Sequence, residues 1–297
     1  MKHQEKQLKR MMDHLLENGR SGNIYPGAVL LIGLQTHIIY FQACGHSCLL
    51  PEAEDMRHDT LFDLASLTKV LVTVPALMLL LDEKRLDLDD PVCEYLTGFG
   101  SKQPGKKQVT IRQLLTHSSG LESWLPFYED ILKRNIPFGP LAKDYIIESI
   151  YHHHPVYPAG EKSVYSDLGF ILLGRVIETV TGLSLEEFCS NRIFKPLKMG
   201  RTFLGGQMQL EAKGLPVAAT EFSDWRGGIL RGQVHDENAY VMGGSAGHAG
   251  LFSAVENIFT FCQAMLFSLK NDTGFWPKYL ITDMVTKQNL PPGSSWA

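Results

Sequence analysis

Two short motifs hold the residues whose types and spacing could do chemistry. The first is Ser66-Leu67-Thr68-Lys69, a hydroxyl and an amine three positions apart. On a helix, positions i and i+3 share a face, so Ser66 Oγ and Lys69 Nζ can meet. A serine hydroxyl is a weak nucleophile until an adjacent base takes its proton. A lysine serves as that base only in its neutral form, which burial favours by desolvation. The apolar residues that follow, Val70, Leu71, Val72, Val74 and Leu77, suit such burial. The first turn of a helix also disfavours a cation and offers free N–H groups to a developing oxyanion. Ser and Lys are common, however, and for the tetrapeptide alone a helix cap followed by a solvated lysine carries more weight.

The second motif is Tyr165-Ser166-Asp167, preceded by Tyr157-Pro-Ala-Gly160 and followed by the apolar run Leu168 to Gly174. A tyrosine at a loop-to-helix junction can present its phenol to a cleft. An adjacent lysine favours the phenolate, and Tyr165 can then relay protons between Ser66 and a leaving group. Taken alone, the motif reads better as a packed tyrosine, with Ser166 or Asp167 as a helix cap.

Set in order along the chain, these motifs resemble the serine β-lactamase-related hydrolases: class C β-lactamases, penicillin-binding proteins and related esterases and D-peptidases. Phe62-Asp-Leu-Ala-Ser-Leu-Thr-Lys69 is similar to the nucleophile block, and Asp87-Leu-Asp-Asp-Pro-Val92 to the stretch after it. Thr110-Ile-Arg-Gln-Leu-Leu-Thr-His-Ser-Ser-Gly-Leu121 resembles the helical segment that follows in the family, and Pro158 to Gly169 the tyrosine motif. Phe194-Lys-Pro-Leu-Lys-Met199 and Gly247-His-Ala-Gly-Leu-Phe-Ser253 continue the order, so the resemblance runs from about residue 25 to 297. It implies Ser66 as the acylated nucleophile, Lys69 as its base partner and Tyr165 as the second base. It also implies an acyl-enzyme route on an ester, amide or β-lactam bond of a small-molecule or peptide substrate. No cofactor and no metal are implied, because side chains and backbone suffice for that chemistry.

There are two departures from the family pattern. The tyrosine motif of the family usually ends in Asn, and here it ends in Asp167. An amide donates and accepts, whereas a carboxylate only accepts, so Asp167 cannot donate to a substrate carbonyl. If close, it also favours the charged form of Lys69. Both effects suit an ester or amide substrate better than a β-lactam. The second departure concerns the third motif, Lys/His-Thr/Ser-Gly on a strand. Its look-alike here is His248-Ala249-Gly250, which makes His248, with Asp167, a candidate substrate contact. A helix follows at once, and in the family a Gly-Gly-Leu-type segment before a helix occupies this place, upstream of the third motif, so the favoured reading is a chain truncated before that motif. The expected consequences are a missing set of C-terminal strands and an open sheet edge, fit for self-association or for a complementing chain. The alternatives to an active enzyme are then an impaired paralogue, a binding-only protein, or one half of a split enzyme.

The elements that must position these motifs are legible from periodicity. Leu8, Met11, Met12, Leu15 and Leu16 form one apolar helical face, ended by Asn18-Gly19. Two β-rich runs, Ala28–Ile32 and His37–Phe41, read as a hairpin. One long helix is expected from about Ser66 to Lys84, bent at Pro75, then helices over Val109–Leu115, Leu141–Tyr151, Leu168–Thr181, Ser184–Phe194 and Ser253–Leu269. Ser184-x-x-Glu187 has the form of a capping box. The fold class is therefore α+β with segregated helices. The expected division is residues 1–63 for the helix and hairpin and 64–297 for a mainly helical part, with a Gly-rich irregular stretch over 200–250.

Composition excludes several classes. With 28 Lys+Arg against 32 Asp+Glu there is no dense basic face for nucleic acid. No run of 18 apolar residues suggests a membrane span. Five scattered cysteines without a Cys-x-x-Cys pair read as free thiols. With no signal-peptide pattern at the N-terminus, the expectation is a cytoplasmic protein. His152–His154 reads as a solvated turn, and His235, Asp236, Glu237 and His248 lack ligand spacing for a metal. His117 reads as a hydrogen-bonded structural imidazole. Trp124, Phe127 and Tyr128 could line a cleft or pack the core, and the terminal Trp296 has no evident role.

Overall fold

Gly27 and Gly45 face each other across a long antiparallel hairpin, where an added Cβ on Gly27 would meet His46 O at 2.4 Å. The hairpin joins β1 (Gly27–Leu34) to β2 (His37–Cys48) through the two-residue turn Gln35-Thr36, with Gln35 at φ +54°. Both strands run further than the apolar runs alone suggest. The two-residue strand β3 (Glu54–Asp55) pairs with the end of β2, giving the order β1-β2-β3. The structure is a computed structural model and describes residues 2–205, 214–286 and 288; Trp296 and the chain end lie outside the described residues.

The first helix, α1 (Lys2–Ser21), is amphipathic as its periodicity requires and lies on β2, where Tyr40 donates to Asp13 Oδ1 at 2.8 Å. After β4 (Phe62–Asp63) the chain turns and becomes helical. The expected long helix is not continuous. A π-helical turn over Lys69–Thr73 precedes α2 (Val74–Asp82), and the Val74 N–H donates to Lys69 O, five residues back. Pro75 has no N–H and cannot close an ordinary α-turn to Leu71, so the wider turn forms just ahead of it.

The helical part follows in α3 (Ile111–Leu115), α4 (Phe127–Lys133), α5 (Pro140–His152), α6 (Asp167–Thr181) and α7 (Leu185–Cys189). A complete capping box closes the start of α3, between Thr110 and Gln113. At α7 the Ser184 hydroxyl accepts from the Glu187 N–H, and the helix passes into a π turn over Ser190–Phe194 rather than continuing as one element. Helix α6 is the centre of the core. Leu168, Phe170, Ile171, Leu172, Leu173, Val176 and Ile177 are all buried, so it is apolar nearly all round, as a central helix should be.

The Gly-rich stretch contains β5 (Thr202–Leu204), the hairpin β6 (Ala219–Ser223) and β7 (Gly228–Arg231), the short helix α8 (Glu237–Val241) and β8 (Leu251–Ser253). Strand β8 lies between β4 and β5, so the segment after His248 is hydrogen-bonded to the strand that feeds Ser66. Helix α9 (Val255–Lys270) packs on β1, with Gln263 donating to Gln35 O at the hairpin turn. Helix α10 (Lys278–Val285) packs on α9 and α2. Between them Trp276 is fully buried and donates to Pro75 O at 3.3 Å. No single described helix is long and apolar enough to cross a membrane.

Candidate active site

Ser66 stands at the turn between β4 and the helix, and the turn is locally strained. Ala65 has φ +46°, a region that side chains with a Cβ enter at a cost. Several bonds hold it there. The Ala65 N–H donates to Asp63 Oδ1 at 2.8 Å, and Thr68 Oγ1 donates to Ala65 O at 2.6 Å. Leu64 and Leu251 pair through Leu64 N–H and Leu251 O at 2.8 Å. Asp63 uses its second oxygen to accept the His235 N–H at 2.7 Å. Burial pushes the Asp63 carboxyl above its usual range, although both N–H bonds favour the charge.

Lys69 is only 3 % exposed, and three oxygens surround its Nζ. Ser66 Oγ lies at 3.0 Å, the carbonyl of His248 at 3.1 Å and Asp167 Oδ1 at 2.7 Å. The Tyr165 ring centroid is 4.8 Å away and that of Phe170 5.7 Å, so two aromatic faces complete the enclosure. The i, i+3 reading of Ser66 and Lys69 therefore holds in space. Asp167, expected as a substrate contact, is paired with the lysine.

Tyr165 is positioned by the segment after α3. Val164 N–H donates to His117 O and Ser166 N–H donates to His117 Nδ1 at 3.0 Å. The Ser166 hydroxyl donates to Glu122 O and the Asp167 N–H to Ser123 O. The His117 ring lies against Tyr165 and Phe170, with centroids 4.6 and 5.1 Å apart. Because Nδ1 accepts a backbone N–H, this imidazole must be neutral. Burial, reinforced by the charge of Lys69, lowers its pKa to about 4. His117 is thus a hydrogen-bonded structural residue, as its sequence context suggests.

Ser66, Lys69 and Tyr165 border one cleft of about 280 Å3. Val70, Leu115 and Met284 give it an apolar wall. Arg112 and Asp283 also line it, and the Arg112 guanidinium is bidentate to Asp89 at 2.8 and 2.9 Å. The three aromatic candidates do not converge here. Phe127 is core, Trp124 is 41 % exposed, and Tyr128 stacks on Trp225 with centroids 5.4 Å apart.

His248 enters the site through its backbone rather than its imidazole. The side chain is 1 % exposed, and Nε2 lies 2.8 Å from Asp236 Oδ1. Its carbonyl, not its ring, faces Lys69. Asp63 was not singled out from the sequence, and Asp236 was weighed only with His235, Glu237 and His248 as a metal group. Asp63 lay within the quoted nucleophile block, but its role depends on a contact to residue 235, which no local spacing reveals. His152, His153 and His154 are exposed. No group of three or more possible metal ligands occurs among the described residues.

A serine hydroxyl, a buried lysine amine and a tyrosine ring thus border one cleft of an α+β scaffold. The Beta-lactamase family model matches residues 8–286, and the chain belongs to that family. A Bacillus subtilis (strain 168) protein named N-acetylmuramyl-L-alanine amidase is 35 % identical, the match covering 86 % of this chain and 62 % of that protein. An Escherichia coli O157:H7 protein provisionally named D-alanyl-D-alanine carboxypeptidase is 34 % identical, over 82 % of this chain and 60 % of its own length. The octameric penicillin-binding protein homologue of Pyrococcus abyssi superposes with a TM-score of 0.73 at 25 % identity, over 93 % of this chain and 59 % of that one. The chain thus spans about three fifths of the length of these curated relatives.

Proposed function

We propose that this chain carries the catalytic centre of a serine hydrolase that cleaves amide bonds of small peptide-like substrates through an acyl-enzyme on Ser66. The observation that supports it most is the coordination of Lys69. Its Nζ faces two groups that can only accept, the His248 carbonyl and the Asp167 carboxylate, and these engage two N–H bonds. The remaining direction points at Ser66 Oγ, so one mobile proton lies on the Ser66–Lys69 axis.

In the forward step Ser66 Oγ attacks the substrate carbonyl and its proton passes to Lys69 in the amine form. Tyr165, beside Lys69, then passes a proton to the departing amine. In the return step, water gives its proton to the same pair and attacks the Ser66 ester, releasing the acid and restoring the hydroxyl. The Ser66 N–H is the backbone donor offered to the oxyanion, because those of Leu67, Thr68 and Lys69 already bond to the carbonyls of Leu64, Ala65 and Ser66. The names of the amidase and carboxypeptidase relatives support an amide substrate over a β-lactam, and Asp167 argues the same way.

The test is turnover by the purified chain. An acylated D-Ala-D-Ala peptide and a p-nitrophenyl ester should be hydrolysed, with nitrocefin slower, and all three rates should vanish in Ser66→Ala. A folded protein inert toward every one of them would sink the proposal. The octameric state of the Pyrococcus homologue also supports self-association, which sedimentation can read directly.

A further inference from the structure

The segment from Asp236 to Leu251 meets the Ser66 helix in buried surroundings, and three of its backbone groups bond to side chains of that helix. Gly247 O accepts from Thr73 Oγ1 at 2.6 Å, His248 O from Lys69 Nζ at 3.1 Å, and the Leu251 N–H donates to Thr68 Oγ1 at 3.1 Å. On its other side the segment touches α6. An added Cβ on Gly247 would lie 2.1 Å from Phe170 O, so the backbone is wedged where no side chain fits.

The His248 ring fixes the register of this wedge. Nε2 lies 2.8 Å from Asp236 Oδ1, and the same oxygen accepts the Ala239 N–H at 2.7 Å as the cap of α8. A carboxylate only accepts, so Nε2 carries the hydrogen. Burial opposes the charge on Asp236. The His248 ring beside it and the Ala239 N–H outweigh that and hold its carboxyl down at about 2. One residue earlier, the His235 N–H binds Asp63, whose other oxygen holds Ala65. The dipeptide His235-Asp236 thus grips both sides of the site: the turn before Ser66 through Asp63, and Lys69 through His248.

We propose that Asp236 and His248 form a buried positioning dyad that, through the His248 carbonyl, holds Lys69 Nζ in line with Ser66 Oγ. The proposal rests on the reading of Ser66 as nucleophile, and it adds two residues whose side chains touch neither substrate nor reacting atoms. The physical need is plain. Lysine has a flexible four-carbon stem, and Asp167 at 2.7 Å is a charged competitor for its hydrogens. A fixed carbonyl on a second side keeps the amine from swinging wholly to that carboxylate.

The experiment compares wild type with His248→Leu, His248→Gln and Asp236→Asn. The Gln side-chain nitrogen can donate to Asp236 where Nε2 does, and Leu cannot. Phosphonylation of Ser66 by a fluorophosphonate, which forms the Oγ–P bond and releases fluoride, is followed to saturation. The maximal rate should fall about tenfold in His248→Leu with the half-saturating concentration within about twofold, and recover to within about threefold of wild type in His248→Gln. Asp236→Asn, which keeps the volume, should slow the same step, and it carries the kinetic test if His248→Leu does not fold. Separately, the ε-carbon resonance of Lys69 in 13C-lysine-labelled protein, assigned with Lys69→Arg, should move in Asp236→Asn and His248→Leu and return in His248→Gln. An unmoved resonance with an unchanged maximal rate in either folded variant overturns the dyad. If wild type does not react with the fluorophosphonate at all, the reading of Ser66 as nucleophile is refuted, and the resonance alone then decides for or against the dyad.

Discussion

Lys69 Nζ and Asp167 Oδ1 lie 2.7 Å apart in a pocket that leaves the lysine 3 % exposed. A carboxylate at that distance draws the lysine hydrogens toward itself and away from Ser66, and it offers no N–H to a substrate. The family usually has an amide here, which donates as well as accepts. Asp167→Asn should therefore speed acylation by a penicillin relative to acylation by a p-nitrophenyl ester, by about tenfold. It should also destabilise the fold by on the order of 1–3 kcal/mol, because the buried Lys69 charge loses its counter-ion. Stopped-flow acylation and denaturant melts read the two effects. An unchanged or lowered ratio of the penicillin rate to the ester rate would contradict the role given to Asp167.

His117 provides a pH signature of the fold. Its folded pKa of about 4 lies below the ordinary histidine value of 6.5, so the unfolded chain binds the extra proton first. Stability is therefore lost as pH falls from about 6.5 to about 4, and is level in this contribution above and below that window. The full shift corresponds to about 3 kcal/mol. Replacing the imidazole by a group that does not titrate, as in His117→Asn, should flatten the stability curve across that interval. Urea melts at pH 4.5 and 7 on both proteins check it. An equal slope in the two would contradict the burial account of His117.

Gly247 tests the wedge behind Lys69. An added methyl would meet Phe170 O at 2.1 Å and Gly174 N at 2.9 Å, both backbone atoms that cannot step aside. Gly247→Ala should cost about 3 kcal/mol or more. Gly105 has nothing within 4 Å of its added Cβ, so Gly105→Ala should stay within about 0.5 kcal/mol of wild type. Thermal melts of the pair give the comparison, and similar midpoints would show that the segment is not wedged.

Trp276 tests the link between the α9–α10 connection and the first turn of α2. It is fully buried, packs edge-on against Phe261 and Phe275, and donates to Pro75 O. Trp276→Phe keeps most of the packing and drops the donor. A loss of about 1–2 kcal/mol is expected, and an unaltered melt would exclude a structural role for that bond.

The pairing of Ser66 with Lys69 was legible because i, i+3 contact needs only a helical turn. Its continuation as a π turn was not, since the cause is the missing N–H of Pro75 combined with a core that demands the chain keep its direction. Asp167 stood out as a departure from the family's Asn and as a candidate substrate contact, but its ion pair with Lys69 depends on the packing of α6 against the Ser66 helix, which no local spacing reveals. The fate of the His248 ring was hidden. A histidine beside Gly247 can face a cleft or the interior, and only the position of Asp236 on the cap of α8 decides it. Asp63 was hidden for the same reason: its partner, the His235 N–H, is 172 residues away. The hairpin was visible in outline. Its true length was obscured because the polar half of β2, from Gln42 to Ser47, pairs through backbone groups that any residue supplies.

The most direct measurement of the central claim is the mass of the intact protein after exposure to a fluorophosphonate, followed by peptide mapping. The account predicts a single adduct on the peptide containing Ser66, absent in Ser66→Ala and formed much more slowly in Lys69→Met and Tyr165→Phe. No adduct on the folded chain, or one carried by a different serine at the same rate in all three variants, would contradict it.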